Sequence, residues 1–318
     1  GRVLANNNAI FNMAGATWHG NVVANGGGSN THAQIINYGA WDGDVETNAL
    51  AIYNSNGSWT GDVLGNAGRI YNNFNDDGDN AGGVNAAVWT GDVTNTTGGV
   101  INDHFGIWNG NVLANDGTII NRSDAVWTGN VADNAGTITT AGTWNGDFTN
   151  SGTVNAENRI NGAFDNLGLL TITGSLSGIT TLTNDGTLNM VGGGAADTVS
   201  AASASFGSDS SFNIDIDATG QNDRLAVTGL ATLDGTVQVT AKSGNYDAMT
   251  TYTILTAGSI NGTFDGVTTS SAFLDGRLTY DPNDVFLTFA RNNIGFAEVG
   301  STANQQAAGA GAESLGAG

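Results

Sequence analysis

The feature that most constrains this fold is a repeat that every tryptophan in the chain opens. One copy of the repeat is Trp108-Asn-Gly-Asn-Val-Leu-Ala-Asn-Asp-Gly-Thr-Ile-Ile-Asn121. The next copy begins nineteen residues after Trp108, with Trp127-Thr-Gly-Asn-Val. Gly follows each tryptophan two residues later, and Val or Phe four residues later, at Trp18, Trp41, Trp59, Trp89, Trp108, Trp127 and Trp144. A period of about twenty residues is typical of a solenoid.

Side-chain direction predicts which residues of the unit are buried. In an extended strand alternate residues face the same way, so Trp59, Gly61 and Val63 share one face while Thr60 and Asp62 share the other. We expect the first face to be buried, with Gly61 leaving room for an indole ring. A stacked interior tryptophan column follows from the parity shared with Val, and an exposed aromatic stripe that binds sugar rings is the alternative.

The second half of the unit predicts tight corners. Asn66, Gly68, Ile70 and Asn72 repeat the spacing found after Trp108. Asn and Gly tolerate the left-handed backbone of a corner, and the Asn amide can bond locally. Each repeat is therefore predicted to be one coil of an all-β, right-handed parallel β-helix. Such a fold stacks equivalent residues of successive repeats, and we expect one inward column made of Val63, Val93, Val112 and Val131.

Beyond about residue 155 aliphatic residues replace tryptophan in the unit. We align two such stretches with the Trp-Gly-Val offsets, namely Ile160, Gly162 and Phe164, and then Ile172, Gly174 and Leu176. The corner spacing recurs at residues 184–189, and the pattern breaks around residues 192–196. We divide the chain into a β-helix of Trp repeats (1–195), C-terminal coils with a cap (196–292) and a tail that is helical or disordered (293–318).

Composition excludes several classes of function. The chain has 318 residues, no Cys and a formal net charge of −21, so disulfides and thiolate metal sites are excluded and phosphate backbones are repelled. We predict no nucleic-acid partner and no helix that spans a membrane. Because the first coil has no evident cap, we expect further coils before residue 1.

No residues with a catalytic, cofactor or metal-binding arrangement emerge. The histidines are His19 in an outward slot, His32, and His104 on a corner. Residues 75–80 form an acidic loop that is the best candidate for a cation site in the chain. Because it lacks the spacing of a calcium-binding loop, we interpret it as a solvated loop, and cation binding is the alternative. Aspartates recur at one outward offset (Asp44, Asp62, Asp92, Asp147), which favours a solvated strand face over paired catalytic carboxylates.

The segment after Phe206 carries a family resemblance. Its characteristic stretches are Phe212-Asn-Ile-Asp-Ile216, Asp223-Arg-Leu-Ala-Val227, Gly235-Thr-Val-Gln-Val239, Tyr252-Thr-Ile-Leu255, Gly262-Thr-Phe-Asp265, Leu278-Thr-Tyr-Asp281 and Val285-Phe-Leu-Thr-Phe-Ala-Arg-Asn292. Together they resemble the C-terminal passenger region of bacterial monomeric autotransporters, over about residues 206–315. The resemblance implies terminal coils plus a cap that act as an intramolecular chaperone, and a linker towards a translocator β-barrel. It also implies export through the periplasm and outer membrane to the bacterial surface.

The sequence then predicts a non-enzymatic, surface-displayed adhesin or self-association protein that needs no cofactor. Its partners would be its own translocator β-barrel, and a host surface or matrix component, a glycan or another copy of itself. Repeated weak contacts along a flat flank with ladders of Asn, Thr and Asp would add up through avidity. Two alternatives stay open, a stalk for an enzyme encoded upstream and a purely structural spacer.

Overall fold

The predicted all-β parallel β-helix is confirmed by the computed structural model. The structure describes residues 1–26, 34–73, 86–192, 194 and 196–316, with side chains up to residue 314. Successive coils stack through parallel strand pairing.

Each coil of the Trp region contributes strands to three parallel ladders. The first ladder contains the tryptophans and comprises β3 (Thr17–His19), β6 (Ala40–Asp42), β9 (Ser58–Thr60), β12 (Val88–Thr90), β15 (Ile107–Asn109), β18 (Val126–Thr128) and β21 (Thr143–Asn145). The second ladder comprises β1 (Arg2–Val3), β4 (Asn21–Asn25), β7 (Val45–Asn48), β10 (Val63–Asn66), β13 (Val93–Asn95), β16 (Val112–Asn115), β19 (Val131–Asn134) and β22 (Phe148–Asn150). The third ladder comprises β2 (Ala9–Asn12), β5 (Gln34–Asn37), β8 (Ala51–Asn54), β11 (Arg69–Asn72), β14 (Gly99–Asn102), β17 (Thr118–Asn121) and β20 (Thr137–Thr140).

The ladders continue into the C-terminal half. The strands there are β23 (Thr153–Asn166), β24 (Leu169–Asn184), β25 (Thr187–Asn189), β26 (Thr198–Phe206), β27 (Ser211–Ile216), β28 (Arg224–Val227), β29 (Leu230–Leu233), β30 (Thr236–Ala241), β31 (Met249–Thr256), β32 (Ser259–Gly262) and β33 (Gly266–Thr269). Strand pairing crosses residue 195, because Leu176 pairs with Val199 and Asn184 pairs with Phe206.

An antiparallel hairpin ends the parallel stack. Its strands are β34 (Leu274–Tyr280) and β35 (Asp284–Arg291), and β35 lies antiparallel against β31, with Tyr252 opposite Leu287. Asp281 makes the turn, since its Oδ1 accepts the backbone N–H groups of Asn283 (2.8 Å) and Asp284 (2.7 Å). A reversed strand cannot template another parallel coil, so the hairpin covers the open end of the first ladder.

The tail contains a helix, α1 (Ala303–Gly316). It begins with a capping box, in which Thr302 Oγ1 accepts the N–H of Gln305 (3.3 Å) and Gln305 Oε1 accepts the N–H of Thr302 (3.1 Å). Gly309 lies against the backbone of Phe296, which a Cβ would approach to 2.6 Å. Glycine in this helix thus permits it to cross the preceding chain.

The register of the second ladder confirms the predicted valine column. Val63 pairs with Val93, Val93 with Val112, and Val112 with Val131, and all four side chains are buried. Ile160 extends the tryptophan column as the partner of Trp144, as predicted. These columns form one continuous hydrophobic core along the axis.

One alignment made from the sequence is wrong. The stretch from Ile172 to Leu176 does not repeat the Trp-Gly-Val positions, because Ile172 pairs with Ala156 and Leu182 pairs with Phe164. β24 runs around the corner without a break. The positions in this coil that match the earlier repeats are therefore identified from strand pairing and not from the nearest apolar-Gly-apolar spacing.

The tryptophan column lies inside the protein. Neighbouring rings stack with centroids 4.4–4.9 Å apart and interplanar angles of 6–10°. From Trp41 to Trp144 the side chains are at most 1% exposed, while Trp18 is half-buried. The interior interpretation is therefore confirmed, and each buried indole contributes about 2–3 kcal/mol of transfer free energy.

The indole N–H groups change partners along this column. Trp41 donates to the carbonyl of Gly43 in its own coil (2.9 Å), whereas Trp127 donates to Gly110 of the preceding coil (3.0 Å). Between these two arrangements, the buried Nε1 atoms of Trp89 and Trp108 have no hydrogen-bond partner. The rings thus shift gradually relative to the backbone, and two N–H groups lie where neither carbonyl is in reach.

Gly61 has a different role from the one predicted. A Cβ there would collide with the carbonyl group of Gly43 in the coil below, and its φ of +141° is one that residues with a side chain rarely adopt. The glycine permits two backbones to approach at the corner, and its carbonyl oxygen accepts the Trp59 indole N–H (3.1 Å).

The repeated asparagines are buried ladders and not corner residues. One column ends the strands of the second ladder from β4 to β22 and continues at the ends of β23 and β24; its buried members are Asn25, Asn48, Asn66, Asn95, Asn115, Asn134, Asn150, Asn166 and Asn184. The other column ends the strands of the third ladder from β2 to β17; its buried members are Asn12, Asn37, Asn54, Asn72, Asn102 and Asn121. Most of these amides donate towards the next coil, as Asn48 Nδ2 does to Asn66 Oδ1 (2.7 Å), whereas Asn184 Nδ2 donates to the carbonyl of Gly186 (3.2 Å). These strand-end asparagines are therefore not part of an outer binding flank, because their amides satisfy one another inside the protein.

Candidate functional site

The outer face of the third ladder carries an apolar stripe along six successive coils. Its members are paired in register and are Phe11, Ile36, Tyr53, Tyr71, Ile101 and Ile120. Phe11 is 56% exposed and the others are half-buried. With about 4.8 Å between coils the stripe is about 24 Å long.

The stripe ends abruptly within the same column. The next partner along the ladder after Ile120 is Thr139, followed by Asn155 and Thr171. Polar residues at these positions show that the fold does not require an apolar side chain there. The apolar character of the first six coils is therefore a property of the surface and not of the core.

A second outward column beside the stripe is free of acidic residues. It consists of Ala9, Gln34, Ala51, Arg69, Gly99 and Thr118, which pair coil by coil. The chain contains 29 acidic residues against 8 lysines and arginines, and none of the twelve outward positions in these two columns is acidic. An anionic partner is therefore repelled less by this face than by a strongly acidic face.

A cleft of about 710 Å³ lies beside the stripe. Its floor is made of alanine and glycine at the corners between the second and third ladders, and its polar groups come from Gln34, Tyr53, Arg69, Thr97 and Thr118. No Asp or Glu occurs among the described residues that line it. We call it the Arg69 cleft.

Tyr53 and Arg69 line the Arg69 cleft, and Tyr71 contacts both of them from outside the lining. The two tyrosine rings stack at 5.1 Å with an interplanar angle of 6°, so they present ring edges and hydroxyl groups outward. Arg69 Nη1 donates to Tyr71 Oη (3.3 Å), and this hydrogen bond raises the pKa of the exposed guanidinium above its usual value. The cleft therefore offers a permanent positive charge next to two hydroxyl groups.

The histidines singled out by sequence lie where they were expected, as far as the structure describes them. His19 is exposed and its Nδ1 lies 2.9 Å from Asp42 Oδ2, while His32 is outside the described residues. His104 lies on a corner with Nδ1 2.9 Å from the carbonyl oxygen and 3.1 Å from Oγ of Ser123. Since a carbonyl only accepts, that Nδ1 carries a proton and cannot at the same time act as a base towards the hydroxyl.

The repeated aspartates do more than face solvent. Asp44, Asp62 and Asp92 are half-buried, and each Oδ1 accepts a backbone N–H from the next coil, as Asp62 does from Asp92 (2.8 Å). Asn occupies the same position at Asn111 and Asn130, with the same bond. This column replaces the ladder hydrogen bond at the corner where the Gly–Asp peptide leaves the strand. The acidic loop 75–80 lies outside the described residues.

A buried acidic cluster lies at the start of the C-terminal coils. Asp223 Oδ1 accepts the N–H of Asp197 (3.0 Å) and its Oδ2 accepts the N–H of Asp215 (2.7 Å), while Lys242 Nζ lies 3.2 Å from Asp215 Oδ2. Burial raises the pKa of Asp223 to about 7 against the two backbone donors. The cluster ties three segments together, and the described residues contain no group of three His, Asp or Glu side chains that could hold a metal ion.

The apolar stripe was not predicted from the sequence, although a signal for it exists. In six repeats an inward-facing Ile or Val is followed at once by a second apolar or aromatic residue, as in Ile70-Tyr71 and Ile119-Ile120. Because alternate residues face opposite sides, the second member of such a pair must face outward. In the later repeats the doublet becomes Ile138-Thr139 and Val154-Asn155, which marks the end of the stripe.

Comparisons with known proteins identify no family for this chain. No protein-family model matches it, and no curated protein sequence does so. Among the described residues no helix combines the length and the apolar character needed to cross a bilayer.

Proposed function

We propose that this protein is a non-enzymatic, surface-displayed adhesive body that binds its partner along the outer face of the third ladder. The observation that carries the proposal is the apolar stripe on an acid-free face of a chain with net charge −21. A rigid stack repeats the same contact every coil, so weak contacts add up along the axis. The partner is a host surface or matrix component, a glycan or another copy of the protein.

The proposal includes export as the passenger of an autotransporter. Its support is the order of elements, in which a parallel stack is followed by an antiparallel cap and then by a short helix. Labelling of intact bacteria with an antibody against residues 1–292 is expected to equal labelling of permeabilised bacteria. Labelling only after permeabilisation would contradict display at the surface.

Adhesion is tested with beads that carry the chain attached through its C-terminal tail. The variant Ile36→Thr/Ile101→Thr/Ile120→Thr gives the stripe the residue that Thr139 already places in this column, so the fold is expected to persist. Leu64→Thr/Leu113→Thr is the matched control, because these exposed leucines (51% and 46%) lie on strands of the second ladder.

The readouts are bead–bead aggregation and bead retention on host cells under flow. We expect the stripe variant to lose at least about tenfold of the retained or aggregated beads, since avidity multiplies small losses per contact. The control variant should match the wild type. Equal loss in both variants, or none in either, would overturn the assignment to the stripe.

A seeding role of the C-terminal region in folding belongs to the same proposal. Leu255 is fully buried beneath the cap and Val22 is fully buried near the other end. If the C-terminal coils form first, Leu255→Asp should slow refolding of the whole chain, whereas Val22→Asp should mainly speed unfolding. Stopped-flow refolding that is slowed equally by both variants would contradict the role.

A further inference from the structure

We infer that the Arg69 cleft binds an acidic saccharide, with its carboxylate on the Arg69 guanidinium and its hydroxyl groups on Tyr53, Thr97 and Thr118. The inference rests on the proposed adhesive function and names the ligand class of that face. It stands on the charge, shape and repeat distance of the cleft.

The charge of the cleft selects an anion. Arg69 is exposed, makes no ion pair within the described residues and lies in a lining without acids. A guanidinium binds a carboxylate through two parallel hydrogen bonds, and the surrounding net charge of −21 leaves few other places for such a group. The site is thus complementary to a ligand that carries isolated negative charges.

The other lining groups select hydroxyl-rich chemistry. Tyr53, Thr97, Thr118 and the Gln34 amide line the cleft together with Leu50 and several alanines and glycines. Hydroxyl and amide groups can donate and accept, which suits alternating donors and acceptors on a sugar ring. The small alanine and glycine residues leave space for the flat face of a pyranose, and Tyr53 borders this space.

The repeat distance also favours a saccharide over a peptide. Coils follow one another at about 4.8 Å, which is close to the advance of one pyranose unit in an extended chain. A bound peptide commonly adds a strand to a free sheet edge. Here the backbone groups of β8, β11 and β14 already pair with one another, so the face offers no edge for a peptide.

The experiment uses the full 318-residue chain and isothermal titration with tetragalacturonate, whose units carry one carboxylate each. The same oligosaccharide with methyl-esterified carboxylates tests the charge, and tetraglutamate tests an acidic peptide. Arg69→Gln is the site variant. Arg159→Gln is the matched control, because Arg159 is also an exposed arginine on a strand and lies on a different face.

We expect the wild type and Arg159→Gln to bind tetragalacturonate equally, and Arg69→Gln to bind it at least about tenfold more weakly. Equal binding of the esterified ligand would overturn carboxylate recognition. Equal or tighter binding of tetraglutamate would overturn the saccharide in favour of a peptide. If the wild type binds none of the three while beads still adhere through the stripe, this inference fails and the proposed function stands.

Discussion

The buried asparagine ladder should be a major source of stability, and Asn115 offers a test of it. Its Oδ1 accepts from Asn95 Nδ2 (2.6 Å) and its Nδ2 donates to Asn134 Oδ1 (2.6 Å). Replacement by alanine removes the donor of Asn134 Oδ1 and one acceptor of Asn95, which keeps its bond to Gly98 (3.1 Å). An orphaned buried acceptor costs about 1–3 kcal/mol and a lost hydrogen bond about 1 kcal/mol, so Asn115→Ala should cost about 2–4 kcal/mol.

Two further variants separate hydrogen bonding from packing. Asn115→Leu restores a side chain of similar size but leaves the same two partners unsatisfied, so it should be no more stable than Asn115→Ala. Asn130→Ala is the matched control, because Asn130 is exposed and water can replace its bond to the N–H of Asp147 (2.9 Å). It should cost less than about 1 kcal/mol.

The assay is equilibrium unfolding in guanidinium chloride followed by tryptophan fluorescence, since the tryptophan column runs beside the ladder. Amide hydrogen exchange in residues 108–140 shows whether the loss is confined to the neighbouring coils, as nearest-neighbour coupling in a solenoid predicts. The reasoning is refuted if Asn115→Leu regains the wild-type midpoint, because the defect would then be a cavity. Equal midpoints for Asn115→Ala and Asn130→Ala would refute it as well.

Three further outcomes follow from the geometry. Trp108→Phe should cost about 1 kcal/mol less than Trp127→Phe in urea unfolding, because only the Trp127 indole N–H has an acceptor to lose; equal costs would contradict the register shift. Gly110→Ala should lower the unfolding free energy by about 2–3 kcal/mol, since its Cβ would collide with the carbonyl of Gly91 in the preceding coil. Gly174→Ala should be within about 0.5 kcal/mol of wild type, because its Cβ would lie 3.8 Å from the nearest atom, Glu157 Oε2. Burial raises the pKa of Asp223 from 3.8 to about 7, so the folded protein holds a proton that the unfolded chain releases, and the unfolding free energy should fall as pH rises across that window. Midpoints measured at several pH values should show this fall in the wild type and a flatter profile in Asp223→Asn; a flat wild-type profile would contradict it.

Much of the fold followed from the sequence because the repeat constrains every coil at once. The parity of Trp59 and Val63 placed both inside, and register confirmed it for the whole column. Given the period, stacking of the coils is the one arrangement that buries the equivalent inward residues of every repeat. The alignment of Ile172 to Leu176 with the Trp-Gly-Val positions failed because the corner in β24 is longer than the corner in β23. Spacing along the chain does not determine which residues of successive coils lie above one another.

The outer face was legible but was not recognised in the sequence. In a doublet such as Ile119-Ile120 one member must face outward. Six successive doublets therefore predict the outer stripe from the alternation of side chains alone. Their combination with Arg69 into an acid-free cleft could not be read, because its walls come from residues about twenty to thirty positions apart that only coil stacking brings side by side.

What the sequence by itself determined is the periodic part of this protein: its strands, its inward columns and the order of coils, cap and tail. Tertiary structure decided the roles of its polar residues. The asparagines can satisfy their amides at a corner or between coils, and only a stack at about 4.8 Å brings Asn48 and Asn66 within hydrogen-bonding distance and away from water. Gly61 likewise could not reveal its purpose until the backbone of Gly43 lay directly beneath it, since a close approach between coils leaves no local trace in the chain.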